Sequence, residues 1–357
     1  MLKDAIAQKQ CVMVCGGGGV GKTTVAASLA VAAAKTRKRV LVVTIDPARR
    51  LMQAFGFKDA LQSESGAPLL LSSEVKAELG LAEDASLSVA MLNPKYVLEQ
   101  IMAQTLAPAQ AAKLKGTTLY AEMSQMIYGL QEYTAYEWVT RMLMNNEYDL
   151  IVLDTPPAFH AKDFFNAPEK IRNLLESRVF QLFVPKKNSW FSLGSKVSFA
   201  WIEKLLGSTT FRESVTFFET FVLLRERILE RAQLLSKFFV KQDVSVIAVS
   251  TPESTALLEL DGLVGFLKQK QIPLETVVMN QVEERSPWTE DPAFQDLSPE
   301  MLQKLKSLNL HQNARADRAD LALSKVKARY SSLEVIRLPM SYSRDGLEIL
   351  RKNASQI

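Results

Sequence analysis

Eight consecutive residues, Gly16-Gly17-Gly18-Gly19-Val20-Gly21-Lys22-Thr23, fit the pattern G-x-x-x-x-G-K-[ST] without a gap. Glycines in a row let successive backbone N–H groups curl around phosphate oxygens, and a following helix adds the partial positive charge of its N-terminus. A lysine at position 22 is placed to reach the β- and γ-phosphates of a nucleotide. A hydroxyl at Thr23 is placed to hold the accompanying Mg²⁺. Gly18, Gly19, Val20, Gly21, Lys22, Thr23 and Thr24 are therefore the candidate nucleotide-binding stretch. Two acidic residues extend the chemistry. Asp154 ends an apolar run, where a carboxylate would help Thr23 to hold the metal. Asp46 ends another, where a carboxylate would orient an attacking water.

The elements that must position these residues alternate between buried strands and helices. Cys11–Cys15, Val40–Ile45, Leu150–Leu153, Val244–Val249 and Thr276–Met279 are short, continuous apolar runs, the pattern of strands covered on both faces. Leu87–Met91 reads as a weaker strand at an edge, and Leu333–Arg337 as a last one. Thr23–Lys35, rich in Ala, reads as the helix after the glycine loop. A strand–loop–helix–strand start implies a βαβ unit and a parallel sheet. The fold class expected is α/β, a P-loop NTPase with a mostly parallel twisted sheet flanked by helices. The strands cluster at about 1–60, 147–160, 242–282 and 330–357. Long helical stretches at about 94–146 and 161–241 form an inserted helical subdomain, the whole chain of 357 residues being one ATPase domain. Residues 283–325 are polar and helix-prone, beginning with a Pro-marked loop.

The glycine loop, Asp46-Pro47-Ala48, Asp154-Thr155-Pro156-Pro157 and Asn280-Gln281 occur in an order that resembles the ArsA-like anion-pump and tail-anchored-protein-targeting ATPases, within the deviant Walker A group. The resemblance runs from about residue 11 to Leu338-Pro339. It implies ATP and Mg²⁺ as ligands and ATP hydrolysis as the reaction. It implies that Asp46 positions the hydrolytic water, that Asp154 with Thr155 senses the γ-phosphate, that Asn280 hydrogen-bonds adenine, and that the stretch at Pro339 closes over the base. It also implies two ATPase halves facing each other. One P-loop per chain means that this chain supplies one half, to a second copy or to a paralogous ATPase, with a membrane protein or an apolar client as the further partner.

Departures from the family pattern are specific. The lysine that reaches across to the partner's nucleotide is replaced by Gly17, which removes a cation from the transition state. Slow hydrolysis, a substitute residue such as Arg49 or Arg50, or a lysine-bearing partner would each answer this. The two cysteines, Cys11 and Cys15, lie on an apolar run. None lies in the helical regions for soft-metalloid ligation or after Asn280 for a zinc C-x-x-C. A regulatory or spatial-organising switch of the partition or division-site type is the alternative function, although the short mixed tail Asp345–Ile357 does not suit a membrane-binding helix. A GTPase is disfavoured, because Asn280-Gln281-Val282-Glu283 lacks the Asp of an N-K-x-D motif.

The helical regions carry a second pattern. Residues 91–144 hold six of the 12 methionines (Met91, Met102, Met123, Met126, Met142, Met144), and 159–240 hold 13 of the 17 phenylalanines. Flexible thioethers and aromatics suit a groove for apolar clients. The helical spacing of Val215, Phe218, Phe221, Leu224, Ile228 and Leu235 equally suits internal packing. The segment Val184–Ala200 mixes Lys186, Lys187 and Lys196 with Trp190, Phe191 and Phe199, as a partner- or membrane-touching piece or a short helix would. His160 reads as a packing or capping residue. A net charge of +4 with interspersed signs gives no reason to expect a nucleic-acid partner. An apolar fraction of 47% without a secretory pattern places the expected protein in the cytoplasm, with peripheral membrane contact left open.

Overall fold

A computed structural model describes residues 2–36, 39–46, 48–57, 66–118, 120, 130–155, 158–177, 217, 220–233, 244–288, 294 and 297–357. The chain divides into two compact units, one of residues 1–91, 146–162 and 242–357, the other of 92–145 and 163–241.

The first unit is built on a sheet of β1 (Cys11–Gly16), β2 (Arg39–Thr44), β3 (Leu69–Leu70), β4 (Ser86–Met91), β5 (Leu150–Asp154), β6 (Val244–Ser250), β7 (Leu274–Val282) and β8 (Glu334–Pro339). Their order is β3-β4-β2-β5-β1-β6-β7-β8. All pairs are parallel except β3 with β4. The α/β class read from the sequence is observed. β1, β5 and β6 are buried along their whole length, the burial that unbroken apolar runs require. Two strand readings change. β4 is not an edge: it pairs with β2 on one side and the short β3 on the other. β7 does not end before Asn280 but runs on to Val282, with a left-handed φ of 56° at Gln281.

The helix Lys22–Ala34 follows the glycine loop and is buried nearly all round. Its alanines permit close approach to the sheet, and Ser28, which no water reaches, returns its hydroxyl to the carbonyl of Thr24 at 2.8 Å. The C-terminal helix Gly346–Gln356, capped by Asp345, packs on it and buries Leu350 and Ala354. The unit also takes in residues 66–91 and the helix Pro299–Arg329, beyond the strand clusters legible in the sequence.

The second unit is helical. It includes Pro94–Thr105, Pro108–Lys115, Leu130–Met144, most of Ala158–Glu176, and helical residues 220–233. Phe221, Leu224 and Ile228 are buried, as are Met102 and Phe164. This part of the apolar stripe is core, and Met144 is exposed. Glu137 and Arg231 form a forked ion pair, with contacts of 2.8, 2.9 and 3.1 Å, in which both side chains are largely buried. Met123, Met126, Val215, Phe218, Leu235, the segment 184–200 and the side chain of His160 lie outside the described residues.

Candidate nucleotide site

The glycine loop leaves the end of β1 and enters the helix Lys22–Ala34 within one unit. Gly19 and Gly21 have φ of 77° and 87°, a region that L side chains rarely occupy, so the loop's path depends on glycine there. Gly18 and Gly19 are exposed, and a Cβ at either would meet open space, which leaves a concave run of backbone for a ligand. Lys22 is buried and its Nζ donates to the Gly17 carbonyl at 2.6 Å. Burial lowers its pKa, and the carboxylates of Asp154, Asp46 and Glu259 oppose that shift.

Asp154 closes the site from β5. Parallel pairing sets Thr44 of β2 directly beside it. Its Oδ2 accepts hydrogen bonds from Thr23 Oγ1 at 2.8 Å and from Thr44 Oγ1 at 3.0 Å. Its Oδ1 is buried and accepts none among the described residues. Burial pushes the Asp154 carboxyl up to about 6, against the pull of the two hydroxyls and of Lys22. A carboxylate oxygen kept from water and from donors is costly unless a cation serves it. Thr155 lies behind, its hydroxyl donating to Val14 O at 2.8 Å.

Asp46 sits half-buried just past β2. Its N–H donates to Thr44 Oγ1 at 3.2 Å, and its Oδ1 accepts from Ala48 N at 2.9 Å. Thr44 thus ties Asp46 to Asp154. Arg49 and Arg50 are exposed. Pro47, Pro156 and Pro157 lie outside the described residues. On the other side of β1, Asn280 of β7 donates its Nδ2 to the Val20 carbonyl at 2.9 Å. One hydrogen of its amide nitrogen thereby braces the loop. Pro339 ends β8 beside Val282 of β7.

The model of the anion-transporting ATPase family matches residues 9–356. The chain belongs to that family. As a member of the anion-transporting ATPase family it is an ATPase, and the glycine loop and its two flanking aspartates are the candidate seat of that activity. Similar proteins include the ATPase get3 of Aspergillus niger, 26% identical over 95% of this chain and 87% of that protein. The ATPase get3 of Schizosaccharomyces japonicus is 26% identical over 76% of this chain and 74% of its own. The ATPase ASNA1 homolog of Entamoeba dispar is 25% identical over 76% of each.

Two neighbours of the site in this family member were not evident from its sequence. Thr44 is one; its signal is a hydroxyl residue at the end of an otherwise apolar strand. Glu259, on the helix Ser254–Gln269, is the other: a Cβ at Gly17 would run into its carboxylate. Nothing in sequence spacing joins those two positions. Cys11 and Cys15 are buried thiols pushed up to about 12 by burial, the environment of core packing. Among the described residues no group of three His, Cys, Asp or Glu is placed to hold a metal by itself. No helix there is long and apolar enough to cross a membrane.

Proposed function

We propose that this chain binds ATP with Mg²⁺ in the glycine loop and hydrolyses it as one half of a dimer, with a second copy or a paralogous ATPase. The nucleotide cycle is coupled to a membrane partner or an apolar client, and the chain works in the cytoplasm. The observation that carries the reading is the Asp154 carboxylate, with Oδ2 held by Thr23 and Thr44 and Oδ1 buried without a donor among the described residues. One hydroxyl and one orphaned carboxylate oxygen, beside a concave loop of amides, suit Mg²⁺, which favours oxygen ligands and brings few protein ligands with it.

In this reading Thr23 and Asp154 hold the metal, which when bound draws charge from the phosphates. Lys22 exchanges the Gly17 carbonyl for the phosphate oxygens, regaining a full partner for a charge that burial disfavours. The loop amides orient the phosphates and Asn280 keeps the loop in shape. Asp46, tied through Thr44 to Asp154, positions the attacking water. Family likeness supports the dimer, and the single P-loop supports one site per chain. The helix Gly346–Gln356 buries Leu350 and Ala354 as it packs on the helix Lys22–Ala34, so these residues are not offered to a membrane surface.

The test is ATP turnover and solution mass of the purified chain, with Mg²⁺ and with EDTA. Metal-dependent turnover with a shift to dimer in Mg–ATP is expected. Turnover indifferent to EDTA would remove the metal seat, and a monomer under all conditions would remove the homodimer.

A further inference from the structure

The glycine loop fixes the phosphate end of a nucleotide; the opposite end needs its own receptor. Beyond Asn280, the chain passes through Gln281 to Val282, beside Pro339, and then to Glu283. A cavity of about 410 Å³ opens there, lined among others by Thr251, Gln281, Glu283, Arg315 and Met340. It lies at the carboxyl ends of β6, β7 and β8, where open α/β sheets take their ligands. Gln281 links it to the loop: its amide nitrogen lies 3.7 Å from where a Cβ of Gly21 would stand.

Glu283 is the unusual member of this wall. It is a carboxylate only 4% exposed. Its Oε2 accepts a hydrogen bond from the Tyr342 hydroxyl at 2.7 Å. Its Oε1 is buried and accepts no hydrogen bond among the described residues. The cation beside it is Arg315, with Nη2 at 3.0 Å on a side chain that is 58% exposed. The arm of Arg315 is mostly in water and is free to swing away from Oε1. Glu283 cannot turn away so easily, because Tyr342 holds its other oxygen.

We propose that Glu283 reads the base, its Oε1 accepting a hydrogen bond from the 6-amino group of adenine. The inference rests on the ATP reading above. A purine ring in the cavity would have Met340 and the Gln281 stem as neighbours, and its 6-amino N–H would take the place of the exposed Arg315 arm at Oε1. Hypoxanthine and guanine carry a carbonyl oxygen at the same ring position. That oxygen against Oε1 pairs two acceptors with no proton between them, and selectivity follows from the mismatch. The N-x-x-E spacing from Asn280 is therefore an adenine-selecting device. A carboxylate at this position that instead took the N1–H and 2-amino group of guanine would give the opposite preference.

The experiment is competition binding of ATP, ITP and GTP to the full chain, for wild type, Glu283→Gln and Glu283→Ala, with Lys22→Ala alongside. Wild type is expected to favour ATP over ITP by about ten- to a hundred-fold. Glu283→Ala should bring the ratio to within about three-fold, and Glu283→Gln, whose carbonyl still accepts, should fall between. Because the readout is a ratio within one preparation, partial unfolding cancels. An unchanged ratio in both variants, or a wild type that binds ITP or GTP as tightly as ATP, overturns the inference. Equal loss of all three nucleotides in Lys22→Ala would leave the ATP reading standing in that event. A wild type that binds none of them overturns both.

Discussion

Thr23 Oγ1 donates a 2.8 Å hydrogen bond to Asp154 Oδ2, joining the start of the loop helix to the end of a strand 131 residues later. The pair makes the glycine loop and β5 one device. Thr44 shares the same oxygen, and the other, Oδ1, is buried without a donor among the described residues.

Replacing Asp154 by Asn should separate stability from activity. The carboxyl is pushed up to about 6 chiefly by burial, so its ionised form is a burden on the nucleotide-free fold at neutral pH. Asn keeps an oxygen for Thr23 and Thr44 but adds an NH₂ with no acceptor among the described residues. A net gain of about 1 kcal/mol, or a few degrees in Tm, is expected. Mg–ATP should no longer raise Tm, and turnover should fall by about a hundred-fold or more. Calorimetry with and without Mg–ATP checks both; a lower nucleotide-free Tm would contradict the assigned cause.

The same carboxyl sets a pH dependence. Its folded value, about 6, lies above the ordinary 3.8, so between the two the folded state holds a proton that the unfolded state lacks. The contribution of Asp154 to nucleotide-free stability therefore falls as pH rises from about 4 to about 6 and is flat above. Metal binding needs the ionised form, so kcat/KM should fall as pH drops through about 6. A kcat/KM profile flat down to pH 5 would remove Asp154 from metal binding.

Asn280→Ala removes the donor to the Val20 carbonyl and leaves that carbonyl without its brace. The cost should appear in nucleotide affinity, about five- to thirty-fold in Kd, with little change in the affinity ratio between ATP and ITP. A variant that instead lost only the base preference would assign Asn280 to the base rather than to the loop.

Gly17→Lys restores a cation where this chain has none. A Cβ there meets the free end of the Glu259 side chain, which can swing aside, and the new ammonium lies next to a carboxylate. The variant should fold, and turnover should rise by about ten-fold or more if a lysine reaching the partner's nucleotide is the missing element. Unchanged turnover in a variant that still dimerises would show that hydrolysis here does not wait on that cation.

What was legible in the sequence and what was not divides along physical lines. The glycine loop is contiguous, and each of its residue types is dictated by backbone geometry, so it could be read directly. Asp154 and Asp46 were legible because each ends an apolar run in an α/β chain. Thr44 beside Asp154 depends on strand register, and Glu259 against Gly17 depends on the docking of a helix far along the chain. Neither leaves a local pattern. Asn280 stood out in the sequence at the end of an apolar run, but its bond to Val20 depends on how β7, which runs past it, lies beside the loop. The core packing of Phe221, Leu224 and Ile228 showed only in their burial, because the same spacing serves a groove and a core.

The most direct test of the proposed function is single-turnover hydrolysis of Mg–ATP, with the full chain in excess, by wild type and Asp154→Ala. Single turnover reads chemistry even where steady-state release is slow. Wild type should convert the bound ATP, and both EDTA and Asp154→Ala should slow that conversion by about a hundred-fold or more. Hydrolysis by Asp154→Ala at the wild-type rate, or in EDTA, would contradict the assignment of Thr23 and Asp154 as the metal seat.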